Sequence, residues 1–139
     1  MRSARRHTAD VRSRAPDPRQ IRGRRAEDAA ATHLLGLDHA ILARNLRLGR
    51  LEVDLVSLAP DGHLVICEVK ARRGDRHPPE LRVDRTKRRH LIAAAMLLSQ
   101  RASLRSRPVR FDVIAVTLDA HGMPVDLRHL AAAFTANDG

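Results

Sequence analysis

The sequence predicts an α/β domain with its elements in the order α-β-β-β-α-β and a short helix after them. Three observations carry this: a capped, alanine-rich helical pattern after residue 16, two apolar runs joined as a hairpin through Pro60-Asp61-Gly62, and a second helical pattern before a further alternating run at 109–115. At 139 residues the chain suits one domain with a real core, and a hydrophobic share of 43% is that of a globular protein.

Residues 1–16 mix Arg, Ser, Ala and Pro with no helical or strand period, so a disordered basic arm is expected there and the folded domain over 17–139. Asp17-Pro18-Arg19-Gln20 provides an N-cap acid, a proline at the first helical position and a glutamine at N3. The helix it opens carries Ala26, Ala29, Ala30, Leu34 and Leu35 on its apolar face and ends at Gly36. Residues 39–47 read as a strand of imperfect alternation. Leu51, Val53 and Leu55 then alternate with Glu52, Asp54 and Val56, and Leu64-Val65-Ile66-Cys67 runs into Glu68-Val69-Lys70. A charged loop is expected over 71–82, around Pro78-Pro79. From about residue 83 a helix buries Leu91, Ala94, Ala95 and Leu98. After Pro108, the alternation of Val109, Phe111, Val113 and Ala115 gives a fourth strand, followed by a turn at His121-Gly122-Met123-Pro124 and a short helix over 127–134.

Composition narrows the function classes. The single Cys67 excludes an internal disulfide, and no His or Cys pair has the spacing of a structural zinc site. The longest apolar run, 91–99, is about half of what a membrane-spanning helix needs, and the Arg-rich start lacks the apolar region of a secretory signal, so a cytoplasmic protein without membrane contact is expected. The formal charge of +10 lies in blocks: residues 1–25 are net +7 and 70–90 net +6, while 26–69 are net −4. Basic stretches that hold phosphates, on either side of clustered carboxylates that hold a cation, are what a metal-dependent nuclease requires. With 24 Arg against 2 Lys, GC-rich coding also raises the charge, so charge by itself decides little.

The chemistry is in the hairpin. Asp54 stands on one strand and Glu68 and Lys70 on the next, the latter two on one face because side chains alternate. Carboxylates set in runs such as Val53-Asp54-Leu55 and Cys67-Glu68-Val69 need a compensating partner, and a hard cation such as Mg²⁺ or Mn²⁺ would supply one. Lys70 would then orient the attacking water or offset charge in the transition state. The bland alternative is a Glu–Lys pair facing solvent at a strand end. For phosphate contacts the basic stretches offer Arg24, Arg25, Arg72, Arg73, Lys87 and Arg88. With Phe111 and Phe134 as the only aromatic side chains besides histidine, base stacking cannot be the main means of recognition. Glu52 is expected at the sheet rim beside Arg50, Asp112 in a structural pair with a neighbouring Arg, and Cys67 as a small apolar filler.

Five segments also resemble, in order and spacing, the motifs of the YraN-type family of bacterial proteins over roughly residues 20–134. They are Gly23-Arg24-Arg25-Ala26-Glu27, Arg44-Asn45-Leu46-Arg47, Leu51-Glu52-Val53-Asp54-Leu55, Val65-Ile66-Cys67-Glu68-Val69-Lys70-Ala71-Arg72 and Arg110-Phe111-Asp112-Val113. That family is similar in fold to Holliday-junction resolvases and other PD-(D/E)xK nucleases. The resemblance therefore implies a restriction-endonuclease-like fold, a mixed sheet flanked by helices, with Asp54, Glu68 and Lys70 as the catalytic core and Asp54 and Glu68 as metal ligands. It also implies Glu27 as a fourth acid near the metal or its water, where residue type alone would read an acid favourably placed in an early helix turn. Ala26 and Leu51 stand where the family has glycines. The expected function is a Mg²⁺- or Mn²⁺-dependent endonuclease or resolvase-like enzyme acting on DNA. The alternatives are a non-catalytic nucleic-acid-binding module of the same fold, or an adaptor for a protein partner. Resolvases of this fold act as dimers, so the resemblance allows a homodimer.

Overall fold

The computed structural model describes residues 17–74 and 81–138; the expected arm at 1–16 and the Pro78-Pro79 part of the expected loop lie outside the described residues. The core has the expected order: α1 (Pro18–Gly36), β1 (Ala40–Leu48), β2 (Leu51–Leu58), β3 (Leu64–Arg73), α2 (Arg85–Ser99) and β4 (Val109–Leu118). Asp17 caps α1, its carboxylate accepting from the Arg19 N–H at 2.9 Å, and Asp84 caps α2 through the Lys87 N–H at 2.8 Å.

One five-stranded sheet runs in the order β1-β2-β3-β4-β5, antiparallel except for the parallel pair β3/β4. A parallel pair needs a crossover, which α2 provides. The helices cover opposite faces. Ala26, Ala30, Ala31 and Leu34 of α1 pack on Leu55, Cys67, Ile114 and Val116. Leu91, Ala94, Ala95 and Leu98 of α2 pack on Val53, Ile66, Phe111 and Val113. The alanines let each helix approach the sheet closely. With both faces covered, β4 is buried continuously from Phe111 to Val116 rather than on alternate residues. Cys67 is a buried apolar filler, as its setting predicted.

Two expectations are corrected. Residues 71–73 continue β3 rather than opening the loop, because each pairs with β4: Ala71 with Val116, Arg72 with Thr117 and Arg73 with Leu118. The expected C-terminal helix over 127–134 is a strand, β5 (Pro124–Phe134), followed by a 3₁₀ turn at Ala136–Asp138. Leu127, Leu130, Ala131 and Phe134 have helical spacing, but the open edge of β4 captures the segment, and local periodicity yields to a ladder of hydrogen bonds. A bulge at Ala132, whose φ is +53°, takes up the extra residues between Leu130 and Phe134, and Phe134 stacks on Phe111 with ring centroids 4.6 Å apart.

Candidate metal and nucleic-acid site

The site lies where the sheet splits. From the hairpin turn, β2 and β3 pair from Leu58–Leu64 to Leu55–Cys67 and then separate. Asp54 fills the gap: its carboxylate accepts the Val69 N–H at 2.8 Å, replacing a missing backbone acceptor, and it shares a side-chain hydrogen bond with Glu68. Glu68 is largely buried, its side chain 14% exposed, and Lys87 of α2 places its ammonium 3.8 Å away. Burial, then the hydrogen bond and the charge of Asp54, push the Glu68 carboxyl up to about 8, against the smaller pull of Lys87 and Lys70. Burial and Asp54 thus favour the protonated form of Glu68 at neutral pH.

Glu27 reaches this region from α1. Asn45 of β1 holds it, Nδ2 donating to Oε2 at 2.9 Å. The β1/β2 register pairs Arg44 with Leu55 and Leu46 with Val53, which sets Asn45 across from Asp54, and Asn45 adopts φ +49°, a left-handed conformation that Asn tolerates better than most residues. Burial raises the Glu27 pKa, the Asn45 hydrogen bond lowers it, and Asp54 raises it again. The neighbouring Asp28 pairs with Arg44. A depression of about 410 Å³ opens beside Glu27 and Asn45, walled by Gln20, Arg24, Arg47 and Glu52. Glu52, exposed near the β1/β2 turn, also walls this depression.

Of the four expected catalytic side chains, the fold brings Asp54 and Glu68 into contact and Glu27 within electrostatic reach of Asp54. Lys70 leaves the same strand two residues on, and its ammonium donates to the Arg82 carbonyl. The ammonium beside Glu68 is that of Lys87, expected only as a phosphate contact. Of the other expected contacts, Arg24 faces the depression, Arg72 is exposed, Arg25 and Arg73 donate to the carbonyls of His121 and Ala120, and Arg88 donates to the Val83 carbonyl. Among the described residues no three His, Cys, Asp or Glu side chains gather as a ligand set. Asp54 and Glu68 are the two carboxylates in contact at the split, and one or two carboxylates with several waters can hold Mg²⁺.

Sequence reasoning missed a second polar network. Asp112, fully buried in β4, accepts from Arg110 at 2.9 and 3.0 Å, from the Ala132 N–H at 3.1 Å and from His129 at 2.8 Å. Burial pushes its carboxyl up, but the hydrogen bonds from His129, Arg110 and Ala132 outweigh that and hold it at about 2. An ionised Asp112 assigns a proton to His129 Nε2, and His129 Nδ1 lies 3.0 Å from His33 Nε2. The pairing with Arg110 was legible as neighbouring opposite charges; the histidines carried no such signal.

The profile of the uncharacterised protein family UPF0102 matches residues 26–116. The chain belongs to this family, which is the YraN family that its motifs resemble. A UPF0102 protein of Frankia casuarinae is 42% identical over 115 residues, covering 81% of this chain and 94% of the relative. One of Pelobacter propionicus is 38% identical over 121 residues, covering 86% and 85%. A longer relative in Oleidesulfovibrio alaskensis is 38% identical over 116 residues, and this chain spans 56% of its length. Among the described residues no helix is long and apolar enough to cross a membrane.

Proposed function

We propose that the protein is a metal-dependent nuclease that hydrolyses phosphodiester bonds in DNA at the split between β2 and β3. The observation that carries this reading is the pair of carboxylates at the split, Asp54 bonded to the Val69 N–H and Glu68 largely buried beside it, with its nearest ammonium 3.8 Å away and its carboxyl pushed up by burial and by Asp54. Mg²⁺ or Mn²⁺ held by these two carboxylates would lower the pKa of a bound water and neutralise charge on the phosphate. Glu27, restrained by Asn45, would take the proton of the attacking water. The water oxygen would bond to phosphorus as the ester P–O bond breaks, the leaving oxygen taking a proton from solvent water, while Lys87 and Lys70 offset the growing negative charge near Glu68.

Incubation of the full chain with branched, single-stranded and duplex DNA, in Mg²⁺ or Mn²⁺ and in chelator, tests the proposal. Cleavage that needs the ion and is abolished in Asp54→Asn supports it. Ion-independent binding with no cleavage of any substrate would make the chain a binding module instead, and absence of both would favour a protein adaptor.

A further inference from the structure

A second basic pocket lies on the α1 side, away from the depression beside Glu27. It is a cavity of about 260 Å³ between Arg22 and Arg25 of α1, Arg73 at the end of β3, and the turn Ala120-His121-Gly122 that joins β4 to β5. The turn is built to aim two arginines. Asp119 closes it, its carboxylate accepting from the N–H groups of His121 at 2.8 Å and Met123 at 2.9 Å, while the Gly122 N–H bonds the Asp119 carbonyl. The carbonyls left outward then accept from Arg73, through Ala120 at 3.1 Å, and from Arg25, through His121 at 2.8 Å. Gly122 has φ +78°, and a Cβ there would lie 2.9 Å from Arg25 Nη1, so the glycine makes room for the guanidinium.

Each clamp uses one of a guanidinium's five donors and fixes its plane, leaving the rest for a ligand. No acid lines the cavity; Asp119 nearby bonds within its own turn and its charge offsets only part of that of Arg25. Cations so gathered repel one another until an anion joins them. Arg73 stands five residues beyond Glu68, about 17 Å along an extended strand, the span of a few nucleotides. The same helix, α1, carries Glu27 towards the candidate site and Arg22 and Arg25 towards this pocket.

We infer that Arg22, Arg25 and Arg73 form a phosphate subsite that grips the nucleic-acid backbone a few nucleotides from the bond to be cut. This rests on nucleic acid being the substrate, and its test needs no cleavage. Anisotropy of a short labelled DNA duplex, titrated with the full chain in chelator across a range of salt, measures the affinity and its salt slope. Arg22→Gln and Arg73→Gln should each lower the slope by about one and weaken binding severalfold for any sequence. Gly122→Ala should weaken binding in the same way with no charge removed, because it displaces Arg25. Arg101→Gln, beyond the end of α2, removes a charge outside the pocket and should cost less than either. The inference is overturned if Arg101→Gln matches Arg73→Gln, or if the pocket variants, folded by thermal midpoint, bind DNA like the parent. It is equally overturned if inorganic phosphate shifts the Arg22 and Arg73 side-chain NMR signals while their replacement leaves DNA affinity unchanged, since the pocket would then serve a free anion. Binding that follows the pocket in a protein that cuts nothing would keep the subsite and reject the nuclease.

Discussion

Asp112 and Glu68 are both buried acids of one sheet, on the adjacent strands β4 and β3, and the protein treats them in opposite ways. Asp112 receives hydrogen bonds from Arg110, His129 and Ala132, which hold its carboxyl at about 2. Glu68 meets another acid, with an ammonium 3.8 Å off, and its carboxyl rises to about 8. Burial raises both; what differs is the supply of donors. A carboxylate whose lone pairs the protein itself fills serves as an internal tie. One left short of donors is where a proton or a cation from outside completes the structure.

The largest effect expected from this contrast is on Asp112. Asp112→Asn leaves Arg110 and His129 without their anion and should cost about 3–5 kcal/mol in urea unfolding near neutral pH. A cost below about 1 kcal/mol would show that the network is no anchor and would end the comparison.

The pH dependence of stability sharpens it. Between about 4.5 and about 8 the native Glu68 keeps a proton that the unfolded chain has released, so its contribution makes stability fall as pH rises through that window. Asp112 does the reverse: between 3.8 and about 2 the unfolded chain takes up the proton, and stability is lost as pH falls. Urea midpoints across pH should therefore lose their decline between about 4.5 and about 8 in Glu68→Gln while keeping the loss below 3.8. An unchanged decline in the upper window would mean that Glu68 is ionised throughout and already well partnered.

The smallest effect is the response to ions. Mn²⁺ should displace the Glu68 proton, releasing about one per ion bound at neutral pH, and should raise the thermal midpoint more at alkaline than at acid pH. Calorimetry in buffers of different ionisation enthalpy counts the proton. An ion that binds with no release, or that stabilises Asp54→Asn as much as the parent, would separate the pair from metal binding.

Much of this was legible in the chain. The Asp17 cap, the alanine face of α1, the hairpin and the alternation that sets Asp54 on one strand and Glu68 with Lys70 on the next are local patterns, readable because side-chain direction repeats every 2 or 3.6 residues. Family motifs added Glu27. Local patterns failed at 127–134, where a helical period and a strand compete and only the open edge of β4 decides between them.

The sequence by itself therefore determined the order of the core elements, the Asp17 cap, the two carboxylates of the hairpin and the family. Tertiary structure alone decided who partners whom. Lys87 rather than Lys70 approaches Glu68, Asn45 restrains Glu27, and the Arg25–His121 and His33–His129 contacts each join residues 96 positions apart. The physical reason is that periodicity specifies which face a side chain occupies, whereas its neighbour on that face depends on strand order and on where β2 and β3 part.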